Sequence, residues 1–207
     1  MLKKIVIIGP ESTGKSNLSK NLANYFNTVF VEEFARQYLI TNGKEYTYDD
    51  LLTIAKGQIA LEEKGMQMLT TDNWPATIRK LQTENSIQQE TGSIPNTQYP
   101  IPIFIDTNMY VMKVWCEFVF KKCHQWILDK IAESKYDLYL LCNIDLPWIK
   151  DDLREYPDIG TRKKLYKYYE DILVNQAVPW VDISGNYDER LTKAIQAVNN
   201  LLQQQTT

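Results

Sequence analysis

The sequence is poor in the residues that build metal centres and disulfide frameworks. Its 207 residues include one histidine, His124, and three cysteines, Cys116, Cys123 and Cys142. A lone histidine supports neither a Ser/His triad nor a histidine-rich metal site, and reads as a structural or surface residue. Three cysteines cannot all pair within one chain and here show no C-x-x-C spacing, so they read as buried thiols in a reducing compartment. Long apolar runs are also missing. The longest clear one, Ile5 to Ile8, falls far short of the roughly 20 residues a membrane helix needs. The start Met-Leu-Lys-Lys enters that strand-like run at once, without the longer apolar region and cleavage site of a signal peptide. An excess of one charge is lacking too. Lys plus Arg is 23 and Asp plus Glu is 26, a formal charge of −3. With an isoelectric point near 5.3, a broad electrostatic grip on nucleic acid is not expected. The 44% of hydrophobic residues and mean hydropathy of −0.37 describe a soluble, cytoplasmic, globular chain with a full core.

What is present is an alternation of strands and helices. Lys3 to Ile8 is a β-branched apolar run ending in Gly9-Pro10, as a fully buried parallel strand reads. A helix is expected from about Lys15 to Phe26, with Leu18, Leu22 and Phe26 on one face. Asn27 to Val31 is a short strand candidate. From about Tyr48 to Leu69 the positions Leu52, Ala55, Ile59, Met66 and Leu69 keep helical phase; Glu62 interrupts them and suggests a partly wet face. Residues 70–100 break the pattern, with Pro75, Pro95 and Pro100 and few aliphatics, and read as an irregular insertion. Strand candidates resume at Ile101–Ile105, Tyr136–Ile144 and Val178–Ile183, with helical segments from Met109 to Ala132, up to Leu173, and through Leu191, Ile195, Val198 and Leu202. One α/β domain over residues 1–207, a parallel sheet covered on both faces, is the expectation.

The chemistry is carried by Gly9-Pro10-Glu11-Ser12-Thr13-Gly14-Lys15-Ser16, a full G-x-x-x-x-G-K-[ST] pattern. Average composition would produce it by accident in on the order of 1% of chains this long. Here it also follows a strand and opens a helix, the context a P-loop requires. The glycines let the backbone curl so that its N–H groups surround phosphates, and the helix N-terminus adds its positive end. Lys15 is then expected on β- and γ-phosphate oxygens of ATP, and the Ser16 hydroxyl on Mg²⁺. Asp106, ending the third strand candidate, stands where P-loop proteins keep a second carboxylate on the Mg²⁺ side.

Thr107 follows it, where motor-type ATPases carry a water-activating Glu, which weakens hydrolysis as the main task. Asn143-Ile144-Asp145 lacks the Lys and the spacing of a guanine-reading N-K-x-D. Small-molecule phosphoryl transfer remains. Glu33 and Arg36 sit at i and i+3 after the second strand. Glu33 is a candidate for taking the acceptor hydroxyl's proton, and Arg36 for binding the acceptor or steadying Glu33; a solvated ion pair is the plain alternative. Either Asp106 or Glu33 serves as the base on this reading. Residues 145–165 look like a closing lid, with Arg154 and Arg162 placed to neutralise charge in the transition state. Trp148 is a candidate for stacking on a planar acceptor, or a core residue.

These residues together resemble a known family. The P-loop at 9–16, Val31-Glu-Glu-Phe-Ala-Arg36, Gly57-Gln58, Phe104-Ile-Asp-Thr-Asn108, Tyr136-Asp-Leu-Tyr-Leu-Leu141, Asp145-Leu-Pro-Trp148 and Arg154 resemble the bacterial ribosylnicotinamide kinase domain, the kinase part of NAD-salvage regulators in the P-loop AAA-like group. The resemblance runs from about residue 3 to 190, without the insertion. It implies a nucleotide-kinase-like five-stranded sheet in the order 2-3-1-4-5. It also implies ATP-dependent phosphorylation of nicotinamide riboside to nicotinamide mononucleotide. On that basis Lys15 and Ser16 serve ATP and Mg²⁺, while Glu33, Arg36, Asp106 and Trp148 line the riboside side. Arg154 and Arg162 belong to the lid. Asn108 stands where the family usually has an Asp, so one acidic contact, a candidate acceptor contact, is replaced. No room is expected for an adenylyltransferase or DNA-binding domain within these 207 residues. The competing functions are a nucleotide-dependent switch ATPase that docks a macromolecule, and a kinase of another nucleoside or small metabolite.

Overall fold

The computed structural model describes residues 1–70 and 100–203. The interior of the expected insertion, 71–99, and the tail from 204 lie outside the described residues. Among those described, five strands form one parallel sheet: β1 (Leu2–Ile8), β2 (Phe30–Val31), β3 (Ile101–Asp106), β4 (Leu138–Cys142) and β5 (Trp180–Ile183), in the order β2-β3-β1-β4-β5. The helices are α1 (Lys15–Tyr25), α2 (Phe34–Asn42), α3 (Tyr48–Thr70), α4 (Met109–Phe120), α5 (Gln125–Glu133), α6 (Ile159–Val174) and α7 (Tyr187–Gln203). The order 2-3-1-4-5 is the one the resemblance implies. It puts β1 in the middle, with its carboxyl end opening between those of β3 and β4, where parallel sheets hold ligands.

Both faces of the sheet are buried, which is why its strands read as unbroken apolar runs. Ile5 and Ile7 face α1 and α7 through Leu18, Leu22, Ala194 and Val198. Val6 and Ile8 face the other way, toward α4 and α6 through Val114, Leu165 and Leu173. A third apolar cluster, around Leu51, Ile54, Met112 and Ile127, joins α2, α3, α4 and α5 beyond the sheet. Cys116 and Cys142 are buried, and Cys123 half-buried. No helix of the described residues is long and apolar enough to cross a membrane.

Two local expectations change. The strand candidate from Asn27 shrinks to two residues, Asn27 itself adopting a left-handed turn, φ 50°. The helical segments expected from Met109 to Ala132 are two, divided at Lys121, φ 58°, and resuming after His124. Glu62 does not make a wet face on α3. Leu51, Ile54, Ala55, Gln58, Glu62 and Leu69 form the buried stripe, and Glu62 is 3% exposed. Its Oε1 pairs with Lys4 Nζ at 2.8 Å and its Oε2 accepts from the Tyr136 hydroxyl at 3.0 Å. A carboxylate at a core position is tolerated when both oxygens are bonded. Glu62→Ala is expected to cost about 2–3 kcal/mol, by stranding Lys4 and Tyr136 together, and Glu62→Gln clearly less. Urea unfolding of the two variants measures the difference; equal losses would mean the charge pair is not what holds α3 to β1.

Candidate active site

The P-loop begins where β1 ends and closes on α1. Its first residue, Gly9, has φ +141°, and a Cβ there would lie 2.7 Å from the carbonyl oxygen of Cys142, so only glycine lets β1 and β4 stay paired at this point. A loop that turns its N–H groups inward must turn its carbonyls outward, and here those carbonyls have partners. The Thr13 hydroxyl and Lys15 Nζ donate to Pro10 O at 2.8 and 2.9 Å. Arg190, 3% exposed on α7, donates from Nη1 to Thr13 O at 2.9 Å and from Nε to Gly185 O at 2.8 Å. Its Nη2 reaches Asn143 O at 2.8 Å and forms an ion pair with Asp145. One buried guanidinium thus ties the P-loop to the ends of β4 and β5. Sequence reading missed Arg190, although it is in phase with the buried Ala194 and Val198 of α7. A charged residue at i−4 and i−8 from core positions was the available signal.

A cavity of about 320 Å³ opens over this loop. Gly9 to Asn17, Glu33, Arg36 and Arg154 all line it. Asp106 lies just beneath, 1% exposed, with the Ser16 hydroxyl among the groups that draw its carboxyl down. Its Oδ1 has no hydrogen-bond partner among the described residues. Burial, then the nearby Glu33 carboxylate, push Asp106 up to about 7 against the pull of Lys15. An under-satisfied buried carboxylate next to a hydroxyl is a donor set that suits Mg²⁺, which takes one or two protein oxygens and finds the rest on phosphates and water.

The 145–165 segment is fastened to this rim. Glu11 accepts the Glu155 and Tyr156 amides on Oε2 at 2.9 and 3.3 Å, and burial holds its carboxyl above the usual range despite those bonds. The Ser12 hydroxyl accepts Ile149 N at 2.9 Å and an Arg154 Nη1 at 3.3 Å. Ser12 itself is left-handed, φ 56°, a conformation uncommon for a non-glycine residue. On the far side of the cavity Arg36 pairs with Asp151 at 2.8 Å rather than with Glu33. Arg162, 4% exposed, lies within 3.5 Å of Ser12 O and 3.4 Å of Leu146 O, so it braces the loop from behind.

The structure brings Lys15, Ser16, Glu33, Arg36, Arg154 and Asp106 to one place. It does not bring Trp148 or Asn108 there. Trp148 is half-buried away from the cavity lining, with the Arg162 guanidinium 5.6 Å over its ring. Asn108 is 2% exposed and caps α4, accepting Tyr110 N at 3.1 Å and donating to the Tyr139 hydroxyl at 3.3 Å. The aromatic wall of the cavity comes instead from Tyr46, Trp115, Phe118, Tyr156 and Tyr169. Trp115 Nε1 donates to the Tyr46 hydroxyl at 2.8 Å, which in turn donates to Glu155 Oε2 at 2.9 Å. These contacts join residues up to 109 apart in sequence, which no local pattern announces.

A P-loop on a 2-3-1-4-5 parallel sheet defines a P-loop nucleotide-binding protein of nucleotide-kinase architecture. More particularly, the chain belongs to the AAA domain family, whose match spans residues 4–190. The trifunctional NAD biosynthesis/regulator protein NadR of Escherichia coli (strain K12) is 22% identical over 205 residues, 99% of this chain and 44% of that protein. NadR of Salmonella typhimurium matches at the same identity and coverage. The chain therefore spans less than half the length of the curated relatives it matches. Among solved structures, NadR in complex with NR superposes with a TM-score of 0.69 at 22% identity, covering 97% of this chain and 50% of that one. Thymidylate kinase from Ehrlichia chaffeensis follows at 0.56 and 12% identity, with 95% and 98% coverage.

The Asp106 environment has a consequence for stability. Its carboxyl rises from 3.8 in the free group to about 7 in the fold. Between those values the folded protein holds a proton that the unfolded chain releases. The stability this proton contributes is present at the acid end and lost as pH rises through about 7. In metal-free buffer Asp106→Asn is expected to flatten this stretch of the stability–pH curve and to exceed wild type in stability at pH 8. A variant that keeps the wild-type slope would contradict the buried-carboxyl assignment.

Proposed function

We propose that the chain is an ATP-dependent kinase of a small nucleoside-like acceptor, with nicotinamide riboside as the first substrate to test. The observation that carries this reading is the meeting of a P-loop and two acidic side chains, Glu33 and Asp106, around a cavity with an aromatic wall. The two NadR relatives, and the solved NadR with NR, support the riboside.

On this reading the P-loop amides and Lys15 would hold the triphosphate, and Ser16 with Asp106 would hold Mg²⁺. When bound, the metal would neutralise phosphate charge. Phosphoryl transfer of this kind needs positioning and electrostatics more than covalent chemistry. Arg154, already hydrogen-bonded to Ser12 beside the loop, supplies positive charge where it develops. Glu33 or Asp106 accepts the proton of the attacking hydroxyl; Glu33 lines the cavity and Asp106 lies beneath it. Residues 145–165 act as the lid, held by Glu11 and Ser12, and exclude water from the transfer. Arg162 steadies that lid, its Nη2 lying between the Ser12 and Leu146 carbonyls. The planar base of the acceptor would lie against Trp115 and Tyr46.

The test is MgATP turnover, read as ADP release with and without a panel of nucleosides that includes nicotinamide riboside. Acceptor-stimulated release, with the phosphorylated acceptor seen by mass, is expected. Slow release that no acceptor changes would favour the switch ATPase. Lys15→Ala is expected to lower acceptor-dependent turnover by at least 100-fold with the circular dichroism spectrum unchanged; near-wild-type rates would sink the mechanism.

A further inference from the structure

Gly57-Gln58, in the middle of α3, has no part in the mechanism above, yet Gln58 is 1% exposed and touches the elements that carry both candidate bases. The ladder between β2 and β3 is only two rungs long, Phe30↔Phe104 and Val31↔Ile105. The next rung in register would join Glu32 to Asp106. No backbone hydrogen bond does so. The Gln58 side chain occupies that place: its Nε2 lies 3.3 Å from Glu32 O and 3.4 Å from Asp106 O. Its Oε1 accepts the amide of Phe34 at 2.8 Å.

That second bond matters because of where α2 begins. Phe34 is the first residue of α2 and Glu33 its N-cap, whose side chain makes no capping bond. The first N–H groups of a helix need partners, and an N-cap side chain reaches only those of the second and third residues. Gln58 satisfies the first of them from another helix, while the Glu33 carboxylate caps nothing and lines the cavity. Gly57 completes the joint. A Cβ on it would lie 2.2 Å from Cε1 of Phe34, so the Phe34 ring lies directly on the α3 backbone.

We propose that Gln58 is a positioning residue, acting through the backbone at Glu32, Phe34 and Asp106 to fix Glu33 relative to Asp106 for phosphoryl transfer. The inference rests on the kinase reading for its catalytic half, while the joint itself can be measured without turnover. Gln58→Leu keeps the volume and removes all three bonds. Gln58→Glu keeps an acceptor for Phe34 N and loses the donor.

Two measurements test this, both on the 207-residue chain. In amide hydrogen exchange, the Phe34 N–H is expected to exchange at least tenfold faster in Gln58→Leu than in wild type or Gln58→Glu, with β1 and β4 amides unchanged. In steady-state kinetics with MgATP and the preferred acceptor, Gln58→Leu is expected to lower kcat by about 10- to 100-fold while KM for ATP changes less than about twofold. Gln58→Glu should fall between. Unchanged exchange at Phe34 would overturn the joint. Faster exchange with kcat unchanged would overturn the positioning role and leave the kinase reading standing. A kcat deficit that disappears at a lower temperature, where the variant is fully folded, would reduce Gln58 to a structural residue. A wild-type protein that phosphorylates no acceptor would overturn the kinase reading and the positioning role with it.

Discussion

A phosphate cradle made of backbone amides imposes a debt on the other side of the loop. Each N–H that turns inward sends a carbonyl outward into the protein, where an unpartnered carbonyl is costly. In this chain the partners are cations at the backs of the elements that meet there. Arg190 from α7 takes Thr13 O and Asn143 O, and Arg162 from α6 approaches Ser12 O and Leu146 O. The rest of the site depends on that arrangement. The P-loop's shape fixes where α1 starts, where the 145–165 segment can attach, and which way Lys15 and Ser16 face.

The same buried arginines explain why α6 and α7, on opposite faces of the sheet, are not interchangeable with generic amphipathic helices. Arg190 sits in phase with Ala194 and Val198 and is charged in the core, at the point where α7 meets the loop. Asp145 pairs with it from the end of β4, so a residue that reads as part of a lid also anchors the cradle. The segment beyond Asp145 then returns over the loop and is caught by Glu11 and Ser12. Two variable positions of the P-loop pattern hold the cover, and its glycine, lysine and hydroxyl positions face the cavity.

Much of this was legible in the sequence, for physical reasons that can be named. Buried parallel strands are continuous apolar runs, so β1, β3 and β4 stood out. The P-loop is a local pattern whose spacing is dictated by one ligand geometry, so Lys15 and Ser16 could be named from it. The order of the strands was legible only through the resemblance. What could not be read is contact between distant segments. Glu62 broke an apolar stripe, and only its distant partners, Lys4 on β1 and the Tyr136 hydroxyl, explain why it is buried. Trp148 read equally as a candidate for stacking on a planar acceptor and as a core residue. The structure turns it toward Arg162 and lines the cavity with Tyr46 and Trp115, which no spacing connects. Gln58 is the plainest instance, a glutamine in mid-helix whose three partners lie on α2, on β3 and on the link between β2 and α2.

The central claim is that a nucleoside acceptor and a triphosphate share this one cavity, with Glu33 on its wall and Asp106 beneath it. A crystal structure of the chain with a non-hydrolysable ATP analogue, Mg²⁺ and nicotinamide riboside tests it most directly. The account predicts the triphosphate on the amides of 9–16, and the riboside in the same cavity with its primary hydroxyl beside Glu33 or Asp106 and its ring against Trp115 and Tyr46. A bound triphosphate with the riboside absent at saturating concentration, or held outside that cavity, would contradict it.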